Sequence, residues 1–195
     1  MSRGPLGWRV VAREPFADAR VFRVVRLRSI REVEPSGQGG DAGGQGAAVE
    51  ADFFAIDSAD FVNVIAVTDD DAIILVEQYR HASGEMTLEI PGGLVDAGED
   101  PVAAGLRELR EETGYVAREA RILGRTRPNP AIMSNRLTTV LALGAHLEGE
   151  PELDEHEDCV VHAMPWDEVV ARIDDGRIDH ALILASLLFE LRRRA

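Results

Sequence analysis

The chain has 195 residues, of which 45% are hydrophobic and 29% are charged, so its length suits one globular domain with an added element. Its 35 acidic and 21 basic residues give a net charge of -14, which argues against a nucleic-acid-binding protein because such proteins need a basic surface. The single cysteine, Cys159, excludes an intramolecular disulfide, and no apolar run is long enough to predict a membrane span. We therefore expect a cytoplasmic protein without nucleic-acid or membrane partners.

The first 58 residues are predicted to form a small antiparallel β unit. Six of the fourteen residues 35–48 within it are glycine and the others are proline or small or polar residues, a composition typical of a flexible loop. On either side of this loop lie stretches rich in β-branched or aromatic residues, as strands are. The predicted strands are 8–13, 21–27 and 53–57.

Residues 59–195 are predicted to form a second domain in which strands alternate with helices, a pattern typical of a mixed α/β fold. Asp69, Asp70 and Asp71 supply a turn between the first two strands. The last helix is expected to start after an N-cap at Asp179 and to point leucines 182, 184, 187, 188 and 191 inward. The predicted strands are 61–68, 72–78, 87–90, 120–123, 137–143 and 160–164, and the later helices are 166–174 and 179–194.

The most informative stretch runs from residue 93 to residue 115 and contains a further predicted helix. Asp100 suits the N-cap, Pro101 suits the first helical position, and Gly114 suits the end of the helix. Before this helix, a short strand ends in Gly92 and Gly93, which allow the backbone to approach other groups closely.

Three carboxylates of this helix share one face, because Glu108, Glu111 and Glu112 fall at i, i+3 and i+4. They repel one another, since two unit charges about 6 Å apart cost roughly 0.7 kcal/mol even in water. A solvated surface tolerates that repulsion. A hard divalent cation with oxygen ligands, Mg²⁺ or Mn²⁺, accounts better for such a cluster beside a glycine-rich loop.

These residues and their neighbours resemble the Nudix box, G-x5-E-x7-R-E-U-x-E-E-x-G-U with U bulky and apolar, at every position that the motif specifies. The resemblance implies a Nudix fold, which is an α/β/α sandwich around a mixed sheet. It also implies a hydrolase that cleaves the pyrophosphate bond of a nucleoside diphosphate linked to another group. The matching residues are Gly93, Glu99, Arg107, Glu108, Leu109, Glu111, Glu112, Gly114 and Tyr115.

The resemblance to the Nudix family implies roles for the residues of the box. Glu111 matches a further metal ligand or an acid–base group. Arg107 would orient the glutamates through charge-assisted hydrogen bonds. The residues implied to bind Mg²⁺ or Mn²⁺ are Glu108, Glu112, Glu99 as an outer group, and Gly92 through its carbonyl.

Outside the box, the chain resembles the ADP-ribose pyrophosphatase branch of the family and its nucleotide-sugar relatives. The resemblance rests on the N-terminal unit, on the sequences FVNVIAVT, VEQYR and LEIPGG, and on the acidic loop 154–158. It implies a homodimer formed through the N-terminal unit, with a nucleoside diphosphate sugar bound between subunits. Arg80 then matches a phosphate-contacting arginine, Glu155 a general base and Glu157 a metal ligand. The alternative is a surface arginine and a solvated acidic loop.

The sequence leaves the substrate open. Asn135 and Arg136, in the loop PNPAIMSNR, are expected to face the group beyond the second phosphate, where they could bind hydroxyls of many sugars. Some ADP-ribose enzymes have a glutamate near this position, whereas this chain has Asn135. GDP-mannose and other nucleoside diphosphate hexoses are therefore alternative substrates. A pyrophosphatase for oxidised nucleoside triphosphates, an RNA-decapping enzyme and a non-catalytic ligand sensor on the same fold are further alternatives, each less favoured.

Overall fold

The computed structural model describes residues 7–32, 48–153 and 158–195. These residues divide into two compact units, one containing the chain up to Ser58 together with Asn129–Ser134, and one containing Ala59–Pro128 and Asn135–Ala195. The elements are β1 (Arg9–Asp18), β2 (Arg23–Glu32), β3 (Ala48–Asp57), β4 (Phe61–Thr68), β5 (Ala72–Arg80), β6 (Glu85–Glu89), β7 (Gly92–Leu94), α1 (Pro101–Thr113), β8 (Tyr115–Val116), β9 (Glu119–Thr126), β10 (Leu137–Leu147), β11 (Cys159–Pro165), α2 (Trp166–Asp174) and α3 (Ala181–Arg194).

The first unit is an antiparallel sheet in which β2 lies between β1 and β3. The N–H of Ile56 donates to the carbonyl of Ile132 at 2.6 Å, and the N–H of Ser134 donates to the carbonyl of Ile56 at 3.2 Å, so residues 129–134 pair with the end of β3. The predicted antiparallel unit is therefore confirmed, with longer strands than the sequence indicated. Of the predicted flexible loop, residues 35–47 lie outside the described residues.

The second unit is built on a mixed sheet of eight strands with the central order β11-β5-β4-β10-β8. Strand β6 lies beside β5, β7 beside β4, and β9 beside β10. Strands β4 and β10 are parallel, whereas the other neighbouring strands run antiparallel. The predicted mixed sheet is confirmed.

Strand β4 is apolar except at Asn63 and Thr68, as expected of a strand whose two faces are covered by helices. Val64 packs in the cluster that contains Leu109 of α1. The next residue, Ile65, points to the opposite face and packs in the cluster that contains Val169 of α2 and Leu187 of α3. Helices therefore lie on both sides of the sheet, which confirms the predicted α/β/α sandwich.

The ends of α1 agree with the sequence prediction, but the start of α3 does not. The Asp100 carboxylate accepts hydrogen bonds from two N–H groups of the first turn, and Gly114 ends the helix with φ of 71°. Helix α3 begins after His180, whose side chain makes no capping bond, and not after Asp179. None of the helices in the described ranges has the length and apolar composition needed to span a membrane.

Helix α3 also buries a different set of side chains than the leucine pattern predicts. Leu187 is buried as expected, whereas Leu188 and Leu191 are 54% and 50% exposed. Glu190 is fully buried instead, because Arg193 and Arg194 pair with its carboxylate. The prediction that all five leucines point inward is therefore wrong.

Candidate active site

An open cleft of about 510 Å³ lies between β7 and α1, and we call it the box cleft. The turn at Gly92 and Gly93 forms one wall, and the acidic face of α1 forms the other. Five of the eleven residues that line the cleft carry carboxylates, and two are arginines. The carboxylates that line it are Asp96, Glu108, Glu111, Glu112 and Glu152.

The two glycines bring the backbone of β7 against the carboxylates of α1. A Cβ atom at Gly93 would lie only 2.5 Å from the carboxyl carbon of Glu108, so a larger residue there would displace that side chain. The N–H of Gly92 donates to Oε2 of Glu112 at 2.9 Å. Glu112 is 7% exposed and Glu108 is mostly buried, so both carboxylates are fixed at the wall of the cleft.

Arg107 holds the remaining carboxylates of the box together. Its Nη1 donates to Glu108 at 2.9 Å and to Glu111 at 3.0 Å, while Nε and Nη2 donate to the two carboxylate oxygens of Glu99 at 3.2 Å each. Hydrogen bonding to Glu99, followed by the charge and hydrogen bonds of Glu108 and Glu111, raises the pKa of Arg107. The same contact with Arg107, helped by the N–H of Asp96, holds the pKa of Glu99 below its usual value.

The donor atoms in the box cleft fit a divalent cation. The possible ligand atoms are carboxylate and carbonyl oxygens, which Mg²⁺ and Mn²⁺ prefer. Three of the carboxylates lie on one face of α1. Within the described residues, no three His, Cys, Asp or Glu side chains converge closely enough to hold a metal, and Arg107 hydrogen-bonds both Glu108 and Glu111. A cation at this wall would neutralise part of the negative charge of Glu108 and Glu111, which Arg107 now neutralises through its hydrogen bonds.

Arg80, the predicted phosphate-contacting residue, also lines the box cleft. It ends β5, and its guanidinium forms two hydrogen bonds of 2.7 Å with the buried carboxylate of Glu89. The Arg80 side chain is nevertheless 43% exposed. Part of the guanidinium therefore remains accessible from the cleft.

Asn135 and Arg136 precede β10 and do not belong to the described residues that line the box cleft. The Asn135 side chain is buried, with Nδ2 donating to the carbonyl of Ala59 at 3.0 Å, and its Oδ1 has no hydrogen-bond partner in the part of the chain that the structure describes. The N–H of Arg136 donates to the carboxylate of Asp60, and the carbonyl of Arg136 accepts from the N–H of Phe61, while the Arg136 side chain is exposed. The structure therefore separates these two predicted residues from the carboxylates of the box.

The predicted base Glu155 and metal ligand Glu157 lie outside the described residues. The residues on either side of that segment border the box cleft. On one side, the N–H of Glu152 donates to the carbonyl of Glu111 at 2.7 Å. On the other, Cys159 pairs in β11 with Gln78, which lines the cleft.

Three residues near the site were missed by the sequence reasoning. Asp96 lies inside the variable part of the box and donates its N–H to Glu99 at 3.1 Å. Glu152 reaches α1 through Arg110, at 2.5 Å, and precedes the acidic loop. Glu89 was treated only as part of a strand, although a charged residue directly before a buried isoleucine was a signal that it has a partner.

Comparisons with known proteins agree with this geometry. A family model described as NUDIX domain matches residues 59–187. The methanol dehydrogenase activator of Bacillus methanolicus is 34% identical over 133 residues, which are 67% of this chain and 72% of that protein. The ADP-ribose pyrophosphatase of Mycobacterium tuberculosis is 34% identical over 129 residues, which are 65% of this chain and 62% of that protein. The chain thus spans less than two thirds of the length of that pyrophosphatase.

A solved structure described as the crystal structure of ADP compounds hydrolase has the same fold. It matches with a TM-score of 0.77 at 22% identity and covers 98% of this chain and 96% of its own. The fold, the box and the matched residues confirm the resemblance found in the sequence. The chain belongs to the NUDIX domain family, whose hydrolases generally depend on a divalent metal.

Proposed function

We propose that this protein hydrolyses the pyrophosphate bond of ADP-ribose or a related nucleoside diphosphate sugar, giving a nucleoside monophosphate and a sugar phosphate. The observation that carries the proposal is the box cleft, where three α1 carboxylates face a glycine turn and Arg80 stands at the same wall. Carboxylates suit a cation, and an accessible arginine suits phosphate oxygens. Relatives named as ADP-ribose and ADP-sugar pyrophosphatases support the choice of substrate.

We propose Mg²⁺ or Mn²⁺ as the metal, held by Glu108, Glu112 and the carbonyl of Gly92. A bound divalent cation would neutralise negative charge on a pyrophosphate and make a water ligand more acidic. Glu111 serves as a further ligand or an acid–base group. Arg107 keeps Glu108 and Glu111 oriented, and it fixes Glu99 as an outer group of the metal site.

The remaining roles concern the substrate and the attacking water. Arg80 contacts a phosphate through the part of its guanidinium that Glu89 does not occupy. Glu155 acts as general base and Glu157 as a metal ligand, which is supported by the position of Glu152 at the box cleft. A loop that carries a base can adopt its working geometry only when substrate is bound. Arg136, whose side chain is exposed, is the proposed contact of the sugar, whereas the Asn135 side chain is buried against Ala59 and would act there only by holding the loop.

We further propose a homodimer formed through the N-terminal unit. Two aromatic pairs stand on its sheet, Trp8 with Phe53 at 5.2 Å between ring centroids and Phe16 with Phe54 at 4.9 Å. Phe53 and Phe54 are adjacent in β3, so the pairs lie on opposite faces. All four rings are substantially exposed within this unit, so each face of the sheet carries an aromatic pair for a second chain to cover.

Light scattering on the purified chain tests the dimer. We expect a mass of twice 21.3 kDa for the wild type and a shift toward monomer for Phe53→Ser. Leu188→Ser, which removes an exposed apolar side chain from α3, is the matched control and keeps the dimer. A monomeric wild type would rule out the dimer and the pocket between subunits, but not the proposed chemistry of the box.

The protein is proposed to act in the cytoplasm.

A substrate panel tests the activity itself. The purified protein is incubated with ADP-ribose, ADP-glucose, GDP-mannose, diadenosine polyphosphates and 8-oxo-dGTP, each with Mg²⁺, with Mn²⁺ and with EDTA. We expect metal-dependent release of AMP from ADP-ribose and no release in EDTA. Faster cleavage of GDP-mannose would shift the substrate class, preferential cleavage of 8-oxo-dGTP would favour the nucleotide-sanitation alternative, and no cleavage of any compound would favour a sensor.

A further inference from the structure

The guanidinium of Arg80 is held on one edge and open on the other. Its Nε donates to Oε1 of Glu89 and its Nη2 donates to Oε2, both at 2.7 Å. Arginine has five N–H groups in a planar fork, so this paired contact leaves both hydrogens of Nη1 and one of Nη2. The carboxylate is 3% exposed and the arginine 43%, so the pair presents only its basic side to solvent.

The strand geometry fixes Glu89 in its turn. Thr87 and Glu89 lie on the same face of β6, two residues apart, and the hydroxyl of Thr87 donates to Oε1 of Glu89 at 2.7 Å. Burial alone would raise the pKa of Glu89, but the hydrogen bonds from Arg80 and Thr87 outweigh it, and the pKa lies below its usual value. Glu89 is therefore charged in the folded protein at neutral pH.

Arg80 stands at the wall between two clefts. The box cleft lies on one side, and a second cleft of about 340 Å³, which includes Leu182 and Ile183 of α3 in its lining, lies on the other. Both are lined by Arg80 and by the turn from Gly92 to Leu94. The direction of the guanidinium therefore decides which groups it can reach. The charge of Glu112 also acts on Arg80, so an unheld guanidinium would be drawn toward the box carboxylates.

We propose that Glu89, supported by Thr87, is a positioning residue that fixes Arg80 so that its free Nη1 edge meets the phosphates of the substrate. This inference rests on the proposed function. Glu89 does not touch the substrate. It restricts the rotamers of a long side chain before binding, and it keeps that side chain away from Glu112. Its loss should weaken binding of the phosphates more than it slows the chemical step.

Steady-state kinetics with ADP-ribose test the inference. For Glu89→Gln we expect KM to rise about tenfold with kcat within about threefold of the wild type, because a charged hydrogen-bond pair is lost on the binding side. Thr87→Val removes one supporting bond and should raise KM about threefold. Glu119→Gln, an exposed strand carboxylate that lines neither cleft, is the control and should leave both constants unchanged.

A double-mutant cycle separates positioning from a merely structural role. In an Arg80→Ala background, Glu89→Gln should change KM no further, because Glu89 acts only through Arg80. Independent, multiplicative effects of the two substitutions on KM would overturn the inference, and so would an unchanged KM in Glu89→Gln. If Glu89→Gln fails to fold, the same cycle is measured with Thr87→Val.

Calorimetric titration of ADP-ribose in EDTA keeps this inference distinct from the proposed activity. If the wild type binds ADP-ribose in EDTA but does not cleave it when metal is added, the proposed hydrolysis fails. Weaker binding of ADP-ribose by Glu89→Gln in EDTA still supports the positioning of Arg80. If the wild type cleaves and Glu89→Gln binds and cleaves equally well, only the positioning role fails. A wild type that neither binds nor cleaves ADP-ribose overturns both.

Discussion

Two glutamates of the second unit are buried together with arginines, yet they differ in what those arginines can still do. At the end of α3, Glu190 is fully buried and accepts hydrogen bonds from Arg193 at 2.7 and 2.6 Å and from Arg194 at 2.6 Å. On β6, Glu89 is almost as buried and accepts two hydrogen bonds from Arg80. The chemistry of the carboxylate is the same in both places.

The arginines make the difference. Arg194 also donates twice to Asp71 at 2.7 Å and lies 4.9 Å from the ring centroid of Trp166, so each of its three nitrogens donates within the fold and its side chain is only 17% exposed. Arg80 lines a cleft with an edge that none of the described residues occupies. Arg193 makes the same two-bond contact with Glu190 that Arg80 makes with Glu89, but it does not line the box cleft. A buried carboxylate–arginine pair can thus serve binding only where the open edge of the arginine lies in a cleft.

The largest expected effect comes from a carboxylate that belongs to neither pair. Glu112→Gln should lower kcat for ADP-ribose by about a thousandfold, because a charged metal ligand is lost, while the amide can still accept from the N–H of Gly92. The melting temperature should stay within a few degrees of the wild type. Metal-dependent AMP release measured beside thermal unfolding checks both parts, and near-normal turnover would remove Glu112 from the metal site.

Glu190→Gln should have the opposite profile. Breaking a buried pair by neutralising one partner costs about 3 kcal/mol when the arginines stay partly solvated, which corresponds to a loss of roughly 6–12 °C in melting temperature for a chain of this size. The turnover of the folded protein should be unchanged, since α3 ends away from the box cleft residues. Thermal and urea unfolding measure the loss. A fall in kcat at constant stability would show that the contrast with Glu89 is wrong.

Acid should reduce the stabilising effect of both buried glutamates. Burial raises the pKa of Glu190, but the hydrogen bonds from Arg193 and Arg194 together lower it by more than burial raises it. The pKa of Glu190 in the folded protein therefore lies below the usual 4.5. The stabilisation is then complete above that ordinary value and is lost as pH falls through the depressed folded pKa. The difference in melting temperature between wild type and Glu190→Gln should therefore be constant from pH 7 to about pH 5 and shrink below it. A difference that grows as the pH falls would contradict this sign.

The smallest effect is expected in the first unit. Glu14 pairs with Arg26 on the sheet surface, where both side chains are substantially exposed. The contact lowers the pKa of Glu14, but water and salt screen a pair in this setting. Glu14→Gln should leave the melting temperature unchanged at physiological salt. A clear loss of stability would mean that burial is not what distinguishes the α3 pair.

The sequence predicted those parts that depend on local spacing. The ends of α1 follow from Asp100 and Gly114, and the mixed sheet follows from apolar strands between helices. The leucine pattern of α3 failed at Leu188 and Leu191, because the paired Glu190 takes the inward position that hydrophobicity alone would give to a leucine. A period of apolar residues cannot show that a carboxylate has two arginines to pair with.

The site was predictable only where its residues lie in one motif. Glu108, Glu111 and Glu112 are brought to Gly92 and Gly93 by a short connection, so spacing located them. The pairing of β5 with β6 places Arg80 opposite Glu85 and Glu89 opposite Val76. Arg80 and Glu89 therefore meet only because their side chains share one face, and that register is not readable from either strand. Asn135 was expected near the substrate, but its burial against Ala59 depends on contacts between residues far apart in the chain.

The parallel pairing of β4 with β10 sets the order in which the site can be completed as the chain is synthesised. Strand β7 and its two glycines attach to residues 61–63, and β10 attaches to the other edge of β4 from Leu137 onward. The ribosome has therefore finished the whole box, to Tyr115, before the strand that completes the sheet beneath it exists. A nascent chain released at that point carries every box residue but leaves one edge of β4 open, which exposes it to aggregation. Catalytic competence thus waits for a strand that contributes no residue to the box.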